Sequence, residues 1–433
     1  MRIENYIKAE WIYTTNIYEV NLRQYTIEGT INAFIKELPR LKDMGIETLW
    51  FMPITPIAKK NKKGILGSYY ACSDYLSINP EFGTTADFKN FVKLAHSMGF
   101  KIIIDWVANH TGWDHVWTKT NPEYYLTDPE TNDFKIAGDM SDIIQLDYEN
   151  YDLRNAMITA MQYWVTKFDI DGFRCDLAFW ITLDFWKQAR TELEKIKTLF
   201  WLGEFEALDH ANYLEVFDAA YTWTWMGEAE IFYKEHLDIK LLEHLLHRYN
   251  NTFDNKNIPL WFTSNHDENS WNGTEYEKYG TIAKALTVFS CTWNGTPMIY
   301  GGQELPNLKR LQFFEKDTID WNNNNYELGE FYKTLLTLRK NNNALKAADD
   351  NVFTYLLQTT AEKNILSYLR KNKEDAVIVF INLGREKMNF KINDNIVNGD
   401  YKNVFDNINI YLNSDTSFEM QPGEFMVFEK VNS

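Results

Sequence analysis

Cysteine is scarce in this chain, and so are long apolar runs and positive charge. The three cysteines, Cys72, Cys175 and Cys291, are widely separated and include no CxxC pair. That excludes a disulfide framework and a thiolate metal site. No segment approaches the run of about 18 apolar residues that a membrane helix needs. The opening MRIENYIKAEWIY has no apolar stretch after its positive charge, so it does not read as a secretory signal. A cytoplasmic enzyme is the simplest reading, with a secreted or periplasmic one following if a signal has been removed. Lys and Arg number 44 against 61 Asp and Glu, a net charge of -17. Such a surface repels nucleic acid and anionic membranes, which points to a neutral substrate. Low-complexity segments are missing as well, and nothing speaks to the oligomeric state.

What is present suits a large globular enzyme. At 433 residues, 45% hydrophobic and 24% charged, the chain exceeds one average domain and can bury a large core. Aromatic residues make up 16%, with 15 Trp and 25 Tyr. Flat rings suit sugar-binding clefts, although any one of them is more often core than cleft.

A strand and helix pattern recurs along the first two thirds. TINAFIKELPRLKDMG carries a helical apolar stripe, with Thr30 as N-cap and Gly45 as stop, and ETLWFMPI follows as a buried strand. The unit repeats with DFKNFVKLAHSMG before FKIIIDW, LRNAMITAMQYWVTKF before IDGFRCD, and DFWKQARTELEKIK before LFWLGEFE. Further strands are predicted at NIYEVNLRQY, AAYTW, PLWFTSNHD and TPMIYGG. Eight such units in about 340 residues predict a (β/α)8 TIM barrel, whose active site lies at the C-terminal strand ends. There the chain places Asp105, Arg174, Asp176, Glu204, His266 and Asp267. One such Asp could be a helix N-cap; charges closing four strands together argue for a site.

The pattern lapses between Thr111 and Asn150, predicting a small domain inserted after the third strand. From about Ala347 the period becomes two, in AVIVFINL, KMNFKI and EFMVFEK, which predicts a C-terminal antiparallel β-sandwich. The expected division is therefore a barrel over 1–110 and 151–346, an insert over 111–150 and a β-domain over 347–433.

Within GFRCD, alternation sends Arg174 and Asp176 to one side and Cys175 to the other. A guanidinium beside a carboxylate favours its charged form, so Asp176 is expected to stay ionised. Glu204, set among Trp201, Leu202 and Phe205, is expected to hold its proton through desolvation. An ionised and a protonated carboxyl facing each other are what retaining glycoside hydrolysis requires. Glu206 shares a face with Glu204, and spacing alone leaves the choice between them open. His266 could donate to sugar hydroxyls, and Asp267 adds negative charge for an oxocarbenium-like transition state.

These segments, in this order, resemble the motifs of glycoside hydrolase family 13, the α-amylase superfamily: DWVANH, GFRCD, GE at 203–204 and FTSNHD, with YGGQE after the eighth strand. The resemblance implies a nucleophile at Asp176, an acid/base at Glu204 rather than Glu206, and a transition-state stabiliser at Asp267. It further implies sugar contacts at Tyr70, Asp105, His110 and His266, and an arginine at Arg174 that holds the nucleophile. The substrate it implies is an α-1,4-linked glucan, from maltooligosaccharides to starch or glycogen. Glucanotransferases and trehalose-forming isomerases use the same residues and remain the alternative, with a non-catalytic glucan-binding relative as a further one.

Two features depart from the family pattern. Many members bind a structural calcium beside the inserted domain; here Asn109 is kept, but Gln145 and Trp180 occupy the other ligand positions. Gln145 offers a neutral oxygen where a carboxylate would compensate a hard dication. Asp142 or Asp147 would have to substitute, and no other cofactor is required. The Lys-His pair that often follows the nucleophile is Phe179-Trp180, so Trp180 is expected to hold the leaving-group sugar by stacking.

Overall fold

The computed structural model describes residues 6–321, 327–361 and 363–431. Eight parallel strands close into a barrel: β1 (Ile17–Val20), β2 (Thr48–Phe51), β3 (Lys101–Trp106), β4 (Gly172–Cys175), β5 (Phe200–Glu206), β6 (Ala219–Tyr221), β7 (Ile258–Trp261) and β8 (Thr296–Tyr300). Each pairs with its sequence neighbours and β8 returns to β1, so the sheet has no free edge. Both faces of the strands are covered, which explains their uninterrupted apolar character.

The intervening helices begin and end where local chemistry dictates. Thr30 accepts the amide of Ala33, and Gly45 closes Leu38–Met44 in the left-handed conformation at φ 95°. Pro39 lies in the first turn of that helix, so the single predicted helix is divided there by a 3-10 turn over Ile35–Glu37. Thr84 and Asp87 form a capping box for Thr85–Ser97. Tyr151–Phe168 and Leu183–Glu194 carry the next two apolar stripes onto the barrel. Eight tryptophans, among them Trp50, Trp106, Trp201 and Trp261, are fully buried. Most of the aromatic excess is therefore core.

After β3 the chain forms a three-stranded antiparallel sheet from His110–Gly112, Ile136–Ala137 and Met140–Gln145. The C-terminal part forms a six-stranded antiparallel sheet, from Phe353–Leu356 through Phe425–Lys430, and a two-stranded sheet pairing Met388–Lys391 with Ser417–Met420. Phe380, Phe390, Phe418 and Phe428 fill the space between them, closing a sandwich. Among the described residues no helix is long and apolar enough to cross a membrane.

Candidate active site

The charged residues that close the apolar strands converge at the C-terminal mouth of the barrel. Arg174, on β4, is completely buried and organises three carboxylates. Its Nη1 donates to Asp176 Oδ1 at 2.9 Å and to both Asp105 oxygens at 3.0 and 3.1 Å. Its Nε donates to the Tyr221 hydroxyl at 3.2 Å, and Trp50 lies 5.0 Å beneath the guanidinium. Nη2 stands 2.7 Å from Glu204 Oε1, close enough for strong attraction but off the N–H axis, so that nitrogen makes no hydrogen bond. Glu204 is instead anchored through Oε2, which accepts the backbone N–H of Leu177 at 2.8 Å.

Burial decides the protonation of this cluster. It raises the carboxyl of Asp176 to about 6, with Arg174 opposing and Asp105 reinforcing the rise. Asp176 thus stays ionised at neutral pH, as expected from the neighbouring guanidinium, but by a smaller margin, because an almost completely buried carboxylate loses more hydration than one shared cation returns. Glu204 rises further, to about 7, again through burial, with Arg174 opposing and Asp176 and Asp267 adding like charge. The order of the two groups is thus the one that retaining chemistry needs.

His266 joins the other side of the mouth. Against the cost of burial, the carboxylates of Asp267 and Glu19 hold its proton well above the ordinary range. Nδ1 meets Glu19, Nε2 lies 3.3 Å from Asp267, and the same nitrogen is 2.8 Å from the Tyr70 hydroxyl. Although burial acts against it, the charged imidazole keeps Asp267 below the usual carboxylate range. Tyr70 also donates to Asp105 at 3.1 Å, and its ring stacks on His266 at 5.4 Å. His110 is held neutral by burial, which lowers it to about 3, and its Nε2 has no partner.

These groups line a cavity of about 520 Å³ that includes Tyr70, His110, Asp176, Glu204, Asp267 and Trp180. Trp271, Phe313 and Phe314 supply an aromatic wall, and Lys63, Met140 and Asp142 line the rim. A mouth combining buried carboxyls with exposed flat rings is built for a neutral, ring-shaped polar ligand.

Three placements go beyond the sequence reading. Glu206 turns away from the mouth: Oε2 accepts from the Thr224 amide and the Tyr249 hydroxyl at 2.7 and 2.9 Å, and Oε1 from Leu208. The β5 to β6 register shifts between Gly203 and Glu206, so simple alternation fails there. Glu19, the partner of His266, was missed; its one signal is a lone acidic residue inside the apolar strand IYEV. Lys63 was missed as well, inside a loop whose shape composition does not reveal.

Two acidic candidates for the expected calcium position are already engaged by other partners. Asp142 Oδ1 is paired with Lys63 Nζ at 2.9 Å, and Asp147 Oδ1 accepts the Glu149 amide in its own turn. The Asn109 amide nitrogen faces His110 Nδ1 at 3.3 Å. Among the described residues no three His, Cys, Asp or Glu side chains converge as a metal site.

Comparison with known proteins agrees with this geometry. The model of the α-amylase catalytic domain matches residues 11–136 and 122–325. A maltogenic α-amylase of Bacillus acidopullulyticus is 25% identical over 430 residues, covering 93% of this chain and 70% of that protein. The crystal structure of a noncanonic maltogenic α-amylase, AmyB, from Thermotoga neapolitana is 28% identical and superposes with a TM-score of 0.88 over 98% of this chain and all of that one. An α-amylase from Lactobacillus plantarum is likewise 28% identical, with a TM-score of 0.85 over 97% of this chain and 99% of its own. The chain belongs to the α-amylase family, glycoside hydrolase family 13, and is a glycoside hydrolase.

Proposed function

We propose that this enzyme cleaves α-1,4-glucosidic bonds in maltooligosaccharides and related α-glucans with retention of configuration. The observation that carries the reading is the pair Asp176 and Glu204 on one guanidinium, with Glu204 holding its proton to higher pH. Glu204 protonates the glycosidic oxygen while Asp176 attacks the anomeric carbon, forming a covalent β-glycosyl ester. Glu204, now ionised, takes a proton from water, which attacks the anomeric carbon and breaks its bond to Asp176, releasing the carboxylate. Asp267, beside the charged His266, supplies negative charge to the oxocarbenium-like transition state. Asp105 and Tyr70 hold the sugar next to the cleavage point together with His110, whose free Nε2 is an unused hydrogen-bonding atom. The ring of Trp180, 39% exposed, offers the leaving-group sugar a stacking surface. The names of the relatives, maltogenic α-amylase and α-amylase, support the choice of α-glucan.

The test is product sizing and anomer analysis on a maltooligosaccharide of defined length, beside an Asp176→Ala variant. Shorter sugars released first as the α-anomer are expected, and in the variant a fall of about 10⁴-fold or more with unchanged thermal unfolding. A β-anomer product, or normal turnover by the folded variant, would overturn the reading. Longer sugars accumulating beside the shorter ones would assign transfer rather than hydrolysis.

A further inference from the structure

The cavity is not bounded evenly. Trp180 follows β4 and the Phe313-Phe314 pair follows β8, four strands apart in a closed eight-stranded barrel, so the two aromatic walls stand on opposite sides of the mouth. Between them lies the hairpin Ile136–Ala137 to Met140–Gln145, joined by the two-residue turn Gly138-Asp139. Its turn is seated against the β4 side. Gly138 has φ 60°, and a Cβ there would meet Trp180 Cη2 at 2.9 Å, so absence of a side chain lets the indole ring lie under the turn.

On the opposite side the gap between hairpin and β8 loop is filled by the tip of the loop after β2. Ile65 donates its amide to Glu315 at 2.9 Å and Leu66 donates to the Phe314 carbonyl at 3.2 Å. Gly64, at φ 61°, lies so near Phe314 that a Cβ would come within 2.5 Å of that side chain. From this tip Lys63 reaches the hairpin, with Nζ 2.9 Å from Asp142 Oδ1. Asp142 is almost completely buried while Lys63 is 37% exposed, and both line the cavity. Three chain segments far apart in sequence thus meet at one end of the cleft, the loop tip bound to the β8 loop by hydrogen bonds from its backbone and to the hairpin by the ion pair.

We propose that the Lys63–Asp142 pair is a specificity-determining closure that ends the cleft on the β8 side, so that the enzyme favours short α-glucans over polymer. The inference rests on the α-glucan reading above and deepens it. A polymer segment must leave a cleft at both ends, whereas a chain end needs only one opening. The pair joins side chains rather than backbone, so its removal loosens the loop tip while the packing of Ala58 and Ala71 on Ala137 and Ile143 keeps the base of the loop against the hairpin. Because Lys63 is partly exposed, salt screens the pair in part, which gives the closure a signature that a packing contact lacks.

The experiment compares kcat/KM for amylose and for maltotriose in the wild type, Lys63→Ala and Lys63→Arg. In Lys63→Ala the amylose to maltotriose ratio is expected to rise about fivefold, the scale of one partly exposed ion pair. Lys63→Arg should return the ratio to the wild-type value. High salt should raise the wild-type ratio and leave that of Lys63→Ala unmoved. A ratio unchanged in Lys63→Ala, or a change that Arg does not reverse, overturns the closure while leaving the hydrolase reading intact. A wild type that cleaves neither sugar overturns both.

Discussion

The carboxylate of Glu204 accepts the backbone N–H of Leu177, the residue that follows Asp176, at 2.8 Å. Leu177 is in the left-handed conformation, at φ 42° and ψ 44°, which costs a branched L-residue on the order of 1 kcal/mol. The strained turn aims that N–H across the mouth, so the chain carrying one catalytic candidate positions the other. Two carboxyls on separate strands are thereby tied through backbone as well as through the shared Arg174 guanidinium.

The pH dependence follows from their opposite requirements. Asp176 must be ionised, and burial puts its titration near about 6; Glu204 must be protonated, and burial with like charge puts its loss near about 7. A narrow bell in kcat/KM is expected, rising through the first value and falling through the second. A stopped-assay profile from pH 4 to 9, set as about one unit per point pair, measures it. A broad plateau reaching above pH 9 would show that Glu204 is not the proton donor.

Glu204→Gln should lose activity and gain stability at alkaline pH. The folded-state value of Glu204 is raised from 4.5 to about 7, so its favourable contribution is complete below 4.5 and is lost as pH rises through 7. A neutral amide keeps its acceptor for the Leu177 N–H and has no proton to lose. The variant should match the wild type near pH 4 and exceed it above pH 7 by up to about 3 kcal/mol. Urea unfolding at both pH values reads the difference, and equal stability at pH 8 would contradict the raised value.

Gly138→Ala places a methyl group 2.9 Å from the Trp180 ring and forces a left-handed alanine at φ 60°. The expected loss is about 1 to 2 kcal/mol, together with altered tryptophan fluorescence and weaker binding of the leaving-group sugar, read as a raised KM. Unaltered fluorescence and KM would separate the turn from Trp180.

Chelation should matter little. With Asp142 paired to Lys63 and Asp147 closing its own turn, EDTA is expected to move the melting temperature by less than about 1 °C, roughly what 1 kcal/mol produces in a chain of this size. A large fall restored by added calcium would reveal a site built from other oxygens.

The barrel and the carboxyls gathered at its mouth were legible because both follow local rules. Parallel strands covered on both faces read as unbroken apolar runs, and a charge closing such a run has nowhere to go but the mouth. Asp176, Glu204 and Asp267 could each be located from strand position and motif, and the switch from helical to two-residue periodicity near Ala347 announced the terminal sheets. Other features depended on contacts between distant segments. The bulge that turns Glu206 toward Tyr249 and away from the mouth is set by pairing with β6, and alternation along one strand cannot report it. The upward shift of Asp176 comes from how deeply it is buried, which exceeds the local pull of Arg174 two residues away. Glu19 with His266, and Lys63 with Asp142, are pairs 247 and 79 positions apart (142 less 63). The sequence by itself determined which strands form and which charges end them, since those depend on near neighbours along the chain. Tertiary structure alone decided which charges meet, how much water they lose and where the cleft stops, because each depends on segments that only closure of the barrel brings together.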